Sequence, residues 1–388
     1  MAVVCYQVNL QRGFGGGEVY TAFFARALET LGVQTVLFAR REARFWDSHL
    51  PARAQVIPIG RIEEISDRLP PRSCWLAFHT PAPEPVVAPL RRAGHRLTAI
   101  AHMPLYGREP ASLRPYEWLF CVSDHVLASL RAAGMTNVYP EPLYGVAQFE
   151  GRGEGNAPVR AASPYDWDPR KLRDRLFGLG YRFYDRHRAR PAYASLPGIT
   201  LGIVSRLTPI KQFPLLFRHL APILARHPQF RLEIFGAGGY ASVRDLRRAL
   251  SPLGDRVRFW GGQTQVASVY RLLDYLMTGL PEKEALGLNV LEAQACGCPV
   301  LAVDAPPFTE IVAREITGLL YPDPRRDRGA GFERLLVRLA SAPFRIDRAA
   351  AASHLARFSP EAYRMRVAAL LLWLGARGLL PEPESACG

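Results

Sequence analysis

The apolar residues of this chain form short runs that alternate with segments of helical periodicity. Near the N-terminus, a strand over about residues 2–8 precedes a helix from about Glu18 to Leu31 with apolar side chains at three- and four-residue spacing. Further strands are predicted in "LGVQTVLFA", "CWLAFH", "LTAIAH" and "WLFCVS", and each of the last three is followed by a loop and a helical stretch. Strands that alternate with helices predict a parallel sheet covered by helices.

The same alternation restarts near residue 198. There "ITLGIVSRL", "FRLEIFG" and "RVRFWG" predict strands, with helical segments between them. Residues 147–197 are rich in Gly, Pro, Arg and aromatic residues and predict a linker or insertion with one helix. We therefore expect an α/β protein with two units of similar size, 1–146 and 198–358, that face each other across a cleft. The C-terminal segment, 359–380, predicts an amphipathic helix.

Composition excludes several classes of protein. A chain of 388 residues with 48% hydrophobic residues suits two packed domains and not a disordered chain. No apolar run is long enough to cross a bilayer, and the N-terminus lacks the layout of a signal peptide. The six scattered cysteines form no CxxC pair and have no zinc spacing, which favours buried thiols in a reducing compartment. We expect a cytoplasmic protein.

The positive charge favours anionic partners. The formal net charge is +14, but it is spread along the chain without a basic block or a nucleic-acid-binding signature. We therefore expect phosphorylated ligands and no nucleic acid. Of the 49 basic residues only Lys171, Lys211 and Lys283 are lysine. In a chain that otherwise uses arginine, a lysine marks a position where a compact point charge is useful.

Three segments have the features of anion sites, because glycine loops and helix starts present free backbone N–H groups. They are Gly15-Gly16-Gly17 before the first helix, residues 236–239 after the strand "LEIF", and residues 285–288 at the start of a later helix. The segment "GAGGYA" also fits the G-x-G-x-x-A pattern of dinucleotide-binding enzymes. The next strand, however, ends without the acid that would hold the ribose, which argues against NAD or FAD.

Two cations and two carboxylates complete the pattern. Arg206 and Lys211 lie five residues apart after a buried strand, where both can bind a diphosphate. Glu284 lies just before a helix start, and Glu292 lies inside its apolar run. Phosphate repels a carboxylate, so we expect Glu284 to face hydroxyl groups and Glu292 to accept hydrogen bonds from a ribose. A ligand with a ribose, a diphosphate and a polyol is a nucleotide sugar.

These segments resemble the family 4 glycosyltransferases. "EALGLNVLEAQACGCPVLAVDAPPFTEIV" is similar to the E-x7-E region of that family, with Glu284 and Glu292 in the acidic positions, and "SRLTPIK" is similar to its G-R-L-x-x-x-K segment. "GGGEVYTAFFARALETLG", "AIAHMP", "CVSDHV" and "PLYGV" match further segments, so the resemblance covers most of the chain outside 147–197. Residues that depart from the family pattern are Ser205, Gln212, Ala285, Leu286 and Ala147.

The resemblance implies a GT-B fold with two Rossmann-like domains and a retaining, hexosyltransferase-type enzyme. In that fold the C-terminal helix, 359–380, would return and brace the first domain. The donor would be a UDP-, GDP- or ADP-linked sugar, the acceptor is not identified, and neither a metal nor another cofactor is expected. The catalytic residues implied are Arg206 and Lys211 on the leaving diphosphate, Glu284 on sugar hydroxyls, and His102 on the sugar from the first domain. The donor-binding residues implied are Glu292 on the ribose, and Leu286, Gly287, Leu288, Gly236, Gly16 and Gly17 along the phosphates or the acceptor side.

Alternative interpretations stay open at four points. Asp166-Trp167-Asp168 is a D-x-D pattern typical of metal-dependent glycosyltransferases, but no apolar strand precedes it, which favours an exposed turn. His102 is equally consistent with a core or capping histidine, and His79 is expected to be structural. The helix of the insertion could dock between the domains or lie peripherally on the inner face of an anionic membrane; its apolar residues are Trp167, Leu172, Leu176, Phe177 and Tyr181. The scaffold could also serve as a non-catalytic sugar-nucleotide sensor or assembly partner.

Overall fold

A computed structural model of the chain describes residues 3–147, 158–167, 172–187 and 189–380. The chain divides into two compact units. The first unit combines the residues up to Val146 with those from Ala356 onwards, and the second runs from Ala147 to Leu355. Each unit contains one parallel sheet of six strands.

The first sheet has the strand order β3-β2-β1-β4-β5-β6. Its strands are β1 Val4–Asn9, β2 Gln34–Arg40, β3 Gln55–Ile59, β4 Trp75–Phe78, β5 Arg96–Ala101 and β6 Trp118–Cys121. The helices that connect them are α1 Gly16–Thr30, α2 Glu64–Arg68, α3 Glu84–Arg92 and α4 Asp124–Ala132. The central strands are buried over most of their length, as expected when helices cover both faces of a parallel sheet.

The sequence pattern differs from this unit in two places. It did not reveal β3, whose residues "QVIPI" are only partly buried and include a proline. The predicted helix after "LTAIAH" is wrong, because residues 102–117 form turns. Pro104, Pro110 and Pro115 interrupt that segment, and each removes a backbone donor that a helix would need.

The second sheet has the strand order β12-β11-β10-β7-β8-β9. Its strands are β7 Ile199–Val204, β8 Phe230–Phe235, β9 Val257–Phe259, β10 Tyr275–Met277, β11 Val300–Val303 and β12 Gly318–Tyr321. Its helices are α5 Leu172–His187, α6 Phe213–Ala225, α7 Tyr240–Ala249, α8 Val266–Tyr270, α9 Leu288–Ala295, α10 Phe308–Ile311, α11 Pro324–Asp327, α12 Ala330–Ser341 and α13 Arg348–Ala356.

The final helix, α14 Pro360–Gly375, belongs to the first unit and packs against α1. Tyr363 of α14 meets Tyr20 of α1 edge to face, with ring centroids 5.7 Å apart. Trp373 packs in the same way on Trp118 of β6, at 4.5 Å. Within the described residues, no helix combines the length and the apolar character needed to cross a membrane.

Both sheets reverse their strand order once, between β1 and β4 in the first and between β7 and β10 in the second. At such a switch point the loops after the two neighbouring strands diverge, which opens a crevice at the carboxyl ends of the strands. The loops after β7 and β10 are therefore where the second unit should bind a ligand. The loops after β1 and β4 have the same position in the first unit.

Candidate functional site

The loop after β7 carries Arg206 and is held by the neighbouring loop after β8. The backbone N–H of Leu207 donates to the carbonyl of Ala237 at 2.8 Å. A Cβ atom on Gly236 would lie 1.9 Å from the carbonyl oxygen of Ser205. The glycine is therefore required for the approach of the two backbones, whether or not it also contacts a ligand. Arg206 is exposed at this edge and forms no ion pair with another described residue.

Lys211 and Glu284 form an ion pair across the switch point of the second sheet. Lys211 ends a 3₁₀ turn after β7, and Glu284 lies in the loop after β10. The two side chains are 22% and 13% exposed, so the pair is partly shielded from water. The two loops also meet through their backbones, because a Cβ atom on Gly279 would lie 2.0 Å from the carbonyl oxygen of Lys211. The sequence predicted a phosphate and sugar hydroxyls as the partners of these residues, and the structure shows that the two side chains also contact each other.

The start of α9 lies beside this ion pair in sequence and is fixed to β7. Gly287 is the N-cap residue and has a φ of +92°, a left-handed conformation that favours glycine. Asn289 donates from its side chain to the carbonyl of Val204, the last residue of β7, at 3.1 Å. The first N–H groups of an α-helix have no acceptor within the helix, so they can receive an anion. Leu286, one of the predicted donor-binding residues, is buried, and Leu288 is half-buried.

Glu292 of α9 accepts a hydrogen bond from the hydroxyl of Tyr270 in α8, at 3.0 Å. Burial, and then the charge of Glu292, raises the pKa of Tyr270, so the phenol keeps the proton that it donates. Tyr270 was not predicted from the sequence, because it falls in the apolar pattern of a helix. Its hydrogen bond orients the carboxylate that we assigned to the ribose.

A second set of ion pairs ties three loops of this sheet edge together. Arg325 contacts both Glu282, in the loop after β10, and Asp323, in the loop after β12. Glu282 also accepts from the side chain of Gln212, the residue after Lys211, at 3.3 Å. These contacts hold the loops of Lys211 and Glu284 at a fixed separation.

The remaining predicted side chain, His102, lies in the first unit directly after β5. Its Nε2 atom is 3.1 Å from Nδ1 of His79, which follows β4. The Nε2 atom of His79 is 2.8 Å from the side-chain oxygen of Gln7 in β1. Desolvation lowers the pKa of His102 to about 4, and burial together with His102 lowers the pKa of His79 well below its usual range. Both imidazoles are therefore neutral near pH 7.

Gly16 and Gly17 begin α1, and Gly15 is its N-cap residue. A Cβ atom on Gly17 would meet nothing within 4 Å. Unlike Gly236, then, Gly17 is not required by a neighbouring backbone, and the space above it is compatible with a ligand.

The insertion contributes a segment that packs on the loops after β8 and β9. Asp166 of the D-x-D pattern is exposed and donates its backbone N–H to the carbonyl of Gly238 at 2.8 Å, whereas Asp168 lies outside the described residues. The N–H of Ala162 donates to the carbonyl of Trp260 at 2.8 Å. A Cβ atom on Gly261 would lie 2.3 Å from the carbonyl oxygen of Ala162, so this loop glycine accommodates the insertion.

Sequence comparison identifies relatives of the second unit and of the whole chain. Residues 189–336 match the family model described as "Glycosyl transferases group 1". A D-inositol 3-phosphate glycosyltransferase of Actinosynnema mirum is 28% identical over 365 residues, which cover 85% of this chain and 84% of that protein. A protein of the same name from Rhodococcus erythropolis is 34% identical over 195 residues, which cover 47% of this chain and 43% of that protein. The chain thus spans less than half the length of the Rhodococcus relative.

Solved structures show the same architecture. The Anabaena protein HepE, crystallised with UDP and glucose, matches with a TM-score of 0.66 at 17% identity, covering 96% of this chain and 100% of HepE. Sucrose-phosphate synthase of Thermosynechococcus elongatus matches with a TM-score of 0.64 at 17% identity, covering 97% and 100%. The prediction of an α/β fold of the GT-B type with two Rossmann-like domains is confirmed. Together with the family match, these likenesses confirm that the chain resembles the family 4 glycosyltransferases of GT-B fold.

Proposed function

We propose that this protein transfers a hexose from a nucleoside-diphosphate sugar to an acceptor hydroxyl, with retention of the anomeric configuration and without a metal ion. The observation that carries the proposal is the Lys211–Glu284 ion pair, which bridges the switch point of the second sheet. Arg206 and the start of α9 belong to the same edge. Cations, a carboxylate and a helix N-terminus suit the diphosphate and the hydroxyl groups of such a donor.

The ion pair leaves capacity for both parts of the donor. An ammonium group has three N–H donors, and Lys211 uses one of them on Glu284. The other two can bind phosphate oxygens. A carboxylate offers about four acceptor positions, so Glu284 can accept from sugar hydroxyls while it stays bonded to Lys211. The lysine also neutralises the carboxylate, which would otherwise repel the phosphates.

The transfer itself requires stabilisation of the leaving group. The bond between the anomeric carbon and the diphosphate oxygen breaks, and negative charge collects on the diphosphate. Arg206, Lys211 and the first amides of α9 would stabilise that charge, which lowers the barrier. The acceptor oxygen bonds to the anomeric carbon on the face that the diphosphate leaves, and its proton passes to a phosphate oxygen. In this scheme the cations of the chain supply the positive charge that a metal would supply elsewhere.

The comparisons suggest which ligands to test first. Crystal structures of Anabaena HepE contain UDP or UDP-glucose, so we propose a UDP-sugar as the first donor to test, before GDP- and ADP-sugars. D-inositol 3-phosphate appears in the names of the relatives and is the first acceptor to test.

The test combines binding with turnover. We expect one of UDP, GDP and ADP to raise the unfolding temperature, because saturation to 100 times Kd adds about 2.7 kcal/mol to the free energy of unfolding. The matching sugar nucleotide, with an acceptor, should release free nucleotide at the same rate with and without EDTA. NMR of the product should show the anomeric configuration of the donor. Binding without turnover on any acceptor would support the non-catalytic sensor, and binding of none of the three nucleotides would overturn the proposal.

We also propose that α5 contacts an anionic membrane peripherally. Leu172, Leu176 and Phe177 are 64%, 62% and 63% exposed, which is unusual for large apolar side chains. The sequence of α5 contains four arginines and two aspartates. Helices with exposed apolar side chains and an excess of basic residues suit the surface of a membrane that contains anionic lipids.

A vesicle experiment tests this contact. We expect the protein to sediment with vesicles that contain phosphatidylglycerol and not with vesicles of phosphatidylcholine alone. Changing Leu172, Leu176 and Phe177 together to serine should weaken binding about tenfold or more, because three buried apolar side chains are lost. Leu372→Ser is the matched control, since Leu372 is 77% exposed on α14. Equal loss in the control, or no binding to either vesicle, would contradict the proposal.

A further inference from the structure

Four side chains form a hydrogen-bonded row across the first sheet. Nε2 of Gln7 donates to Oγ1 of Thr35 at 3.2 Å. The side-chain oxygen of Gln7 faces Nε2 of His79 at 2.8 Å, and Nδ1 of His79 faces Nε2 of His102 at 3.1 Å. Gln7, Thr35 and His79 are buried, so a mismatched donor or acceptor in this row would be costly.

The row determines where the protons of both histidines lie. An amide oxygen can only accept, so Nε2 of His79 must carry a proton and donate to Gln7. A neutral imidazole has one proton, which leaves Nδ1 of His79 as an acceptor. Nε2 of His102 must therefore carry a proton and donate to His79. In neutral His102 the other nitrogen, Nδ1, is then the acceptor.

The packing of the two rings fixes their planes as well. The His79 and His102 rings are nearly parallel, with centroids 5.3 Å apart and planes at 22°. Tyr20 meets the His102 ring edge to face at 5.0 Å, and its own hydroxyl donates to the carbonyl of Leu143 at 2.6 Å. Phe24 meets the His79 ring at 6.0 Å. His102 itself is half-buried, so part of the ring stays accessible.

We propose that His79 is a positioning residue that holds His102 in a single tautomer, with Nδ1 of His102 as the acceptor for a hydroxyl of a ligand bound at the carboxyl edge of the first sheet. This role rests on the proposed function for the hydroxyl and on the structure alone for the tautomer. His79 was expected to be structural. A purely structural side chain at this position would only fill space. The hydrogen bonds of His79 to Gln7 and His102 also determine which nitrogen of His102 carries the proton.

Nitrogen NMR tests the tautomer without any substrate. In the full chain at pH 7.5, two-bond ¹H–¹⁵N spectra should show His102 with a protonated Nε2 and a bare Nδ1, and His79→Leu should shift His102 towards a mixture of tautomers. His79→Asn places an amide oxygen near the position of Nδ1, so it should preserve the tautomer of His102. A wild-type His102 protonated at Nδ1 would overturn the proposal, whatever the protein catalyses.

Kinetic measurements distinguish a role of His79 in positioning His102 from a role in folding alone. We expect His79→Leu to lower kcat by roughly tenfold, the effect of one misplaced hydrogen bond, with little change in KM for the donor. His79→Asn should recover most of that loss. In a His102→Ala background, His79→Leu should have no further effect, because its role depends on His102.

Thermal unfolding of each variant supplies the control for folding. The proposal is wrong, and His79 is structural, if His79→Leu lowers kcat by the same factor in the wild type and in the His102→Ala background. The same conclusion follows if His79→Asn unfolds at the wild-type temperature but does not recover kcat. An unchanged kcat in His79→Leu would also contradict it. Failure of the proposed function would give a different result. The wild type would then show no turnover, while its NMR spectra would still show His102 with a protonated Nε2.

Discussion

Replacing Lys211 by alanine should lower kcat for sugar transfer by about 10²–10³-fold, the usual cost of removing one fixed group that stabilises a leaving or transition-state charge. The side chain pairs with Glu284 at the switch point, so its loss removes a cation from the diphosphate and also leaves a carboxylate without its partner. We expect weaker nucleotide binding together with the loss of kcat. Steady-state kinetics and nucleotide-dependent unfolding temperatures measure the two effects separately.

The paired carboxylate provides a sharper version of this experiment. In Lys211→Ala, an ionised Glu284 should repel the phosphates of the nucleotide. The double variant Lys211→Ala/Glu284→Gln removes that repulsion and should bind the nucleotide more tightly than Lys211→Ala alone. It should not recover transfer, because the cation is still missing. Equal affinities in the single and double variants would contradict the idea that the ion pair exists to neutralise the carboxylate beside a phosphate.

Lys283→Ala supplies the matched control, because it removes the same charge from the loop that carries Glu284. A general effect of net charge would lower nucleotide affinity in both lysine variants. If Lys211 instead contacts the phosphates directly, nucleotide affinity should fall strongly in Lys211→Ala and by less than about threefold in Lys283→Ala. A wild-type kcat in Lys211→Ala would remove the basis of the proposed mechanism.

The charged residues of the second unit could be predicted because their signals are local. Arg206 and Lys211 follow a strongly apolar strand, and Glu284 and Glu292 flank the start of a helix. The carboxyl ends of parallel strands meet at one edge, so a strand followed by a charged loop is enough to place these residues there. The direct contact between Lys211 and Glu284 could not be predicted, because it depends on β7 and β10 being neighbours.

The strand and the residues that were not predicted from the sequence depend on contacts between distant parts of the chain. Strand β10 has three residues and follows closely after a helix, so its apolar pattern does not stand out. Tyr270 reads as a core residue and reaches Glu292 only because α8 and α9 pack together. Gln7 did leave a signal, since a polar residue within a buried parallel strand needs a partner. That partner, His79, is separated from it by 72 residues.

Gly236 has a structural requirement that its sequence motif alone did not reveal. Gly236 was predicted to contact the donor because glycine loops bind phosphates. The structure adds a stronger requirement, since a Cβ atom there would lie 1.9 Å from the carbonyl oxygen of Ser205. Ser205 is the residue immediately before Arg206. Glycine is needed at this position to let two loops meet, and the position of Arg206 depends on that meeting.

Gly236→Ala should therefore destabilise the second unit by about 3 kcal/mol or more, because one of two hydrogen-bonded backbone segments must move. For a unit of this size that corresponds to a fall of roughly 6–12 °C in the unfolding temperature. Gly239→Ala, in the same loop, is the matched control: its Cβ atom would meet nothing within 4 Å, and its φ of −59° suits alanine. Its unfolding temperature should stay within about 2 °C of wild type, since an unstrained surface substitution changes stability little.

If Gly236→Ala instead keeps the wild-type unfolding temperature and loses only nucleotide affinity, the glycine serves the ligand directly and the packing argument fails. If both variants unfold early, the whole loop is intolerant of side chains, and contact with the carbonyl of Ser205 is not the reason.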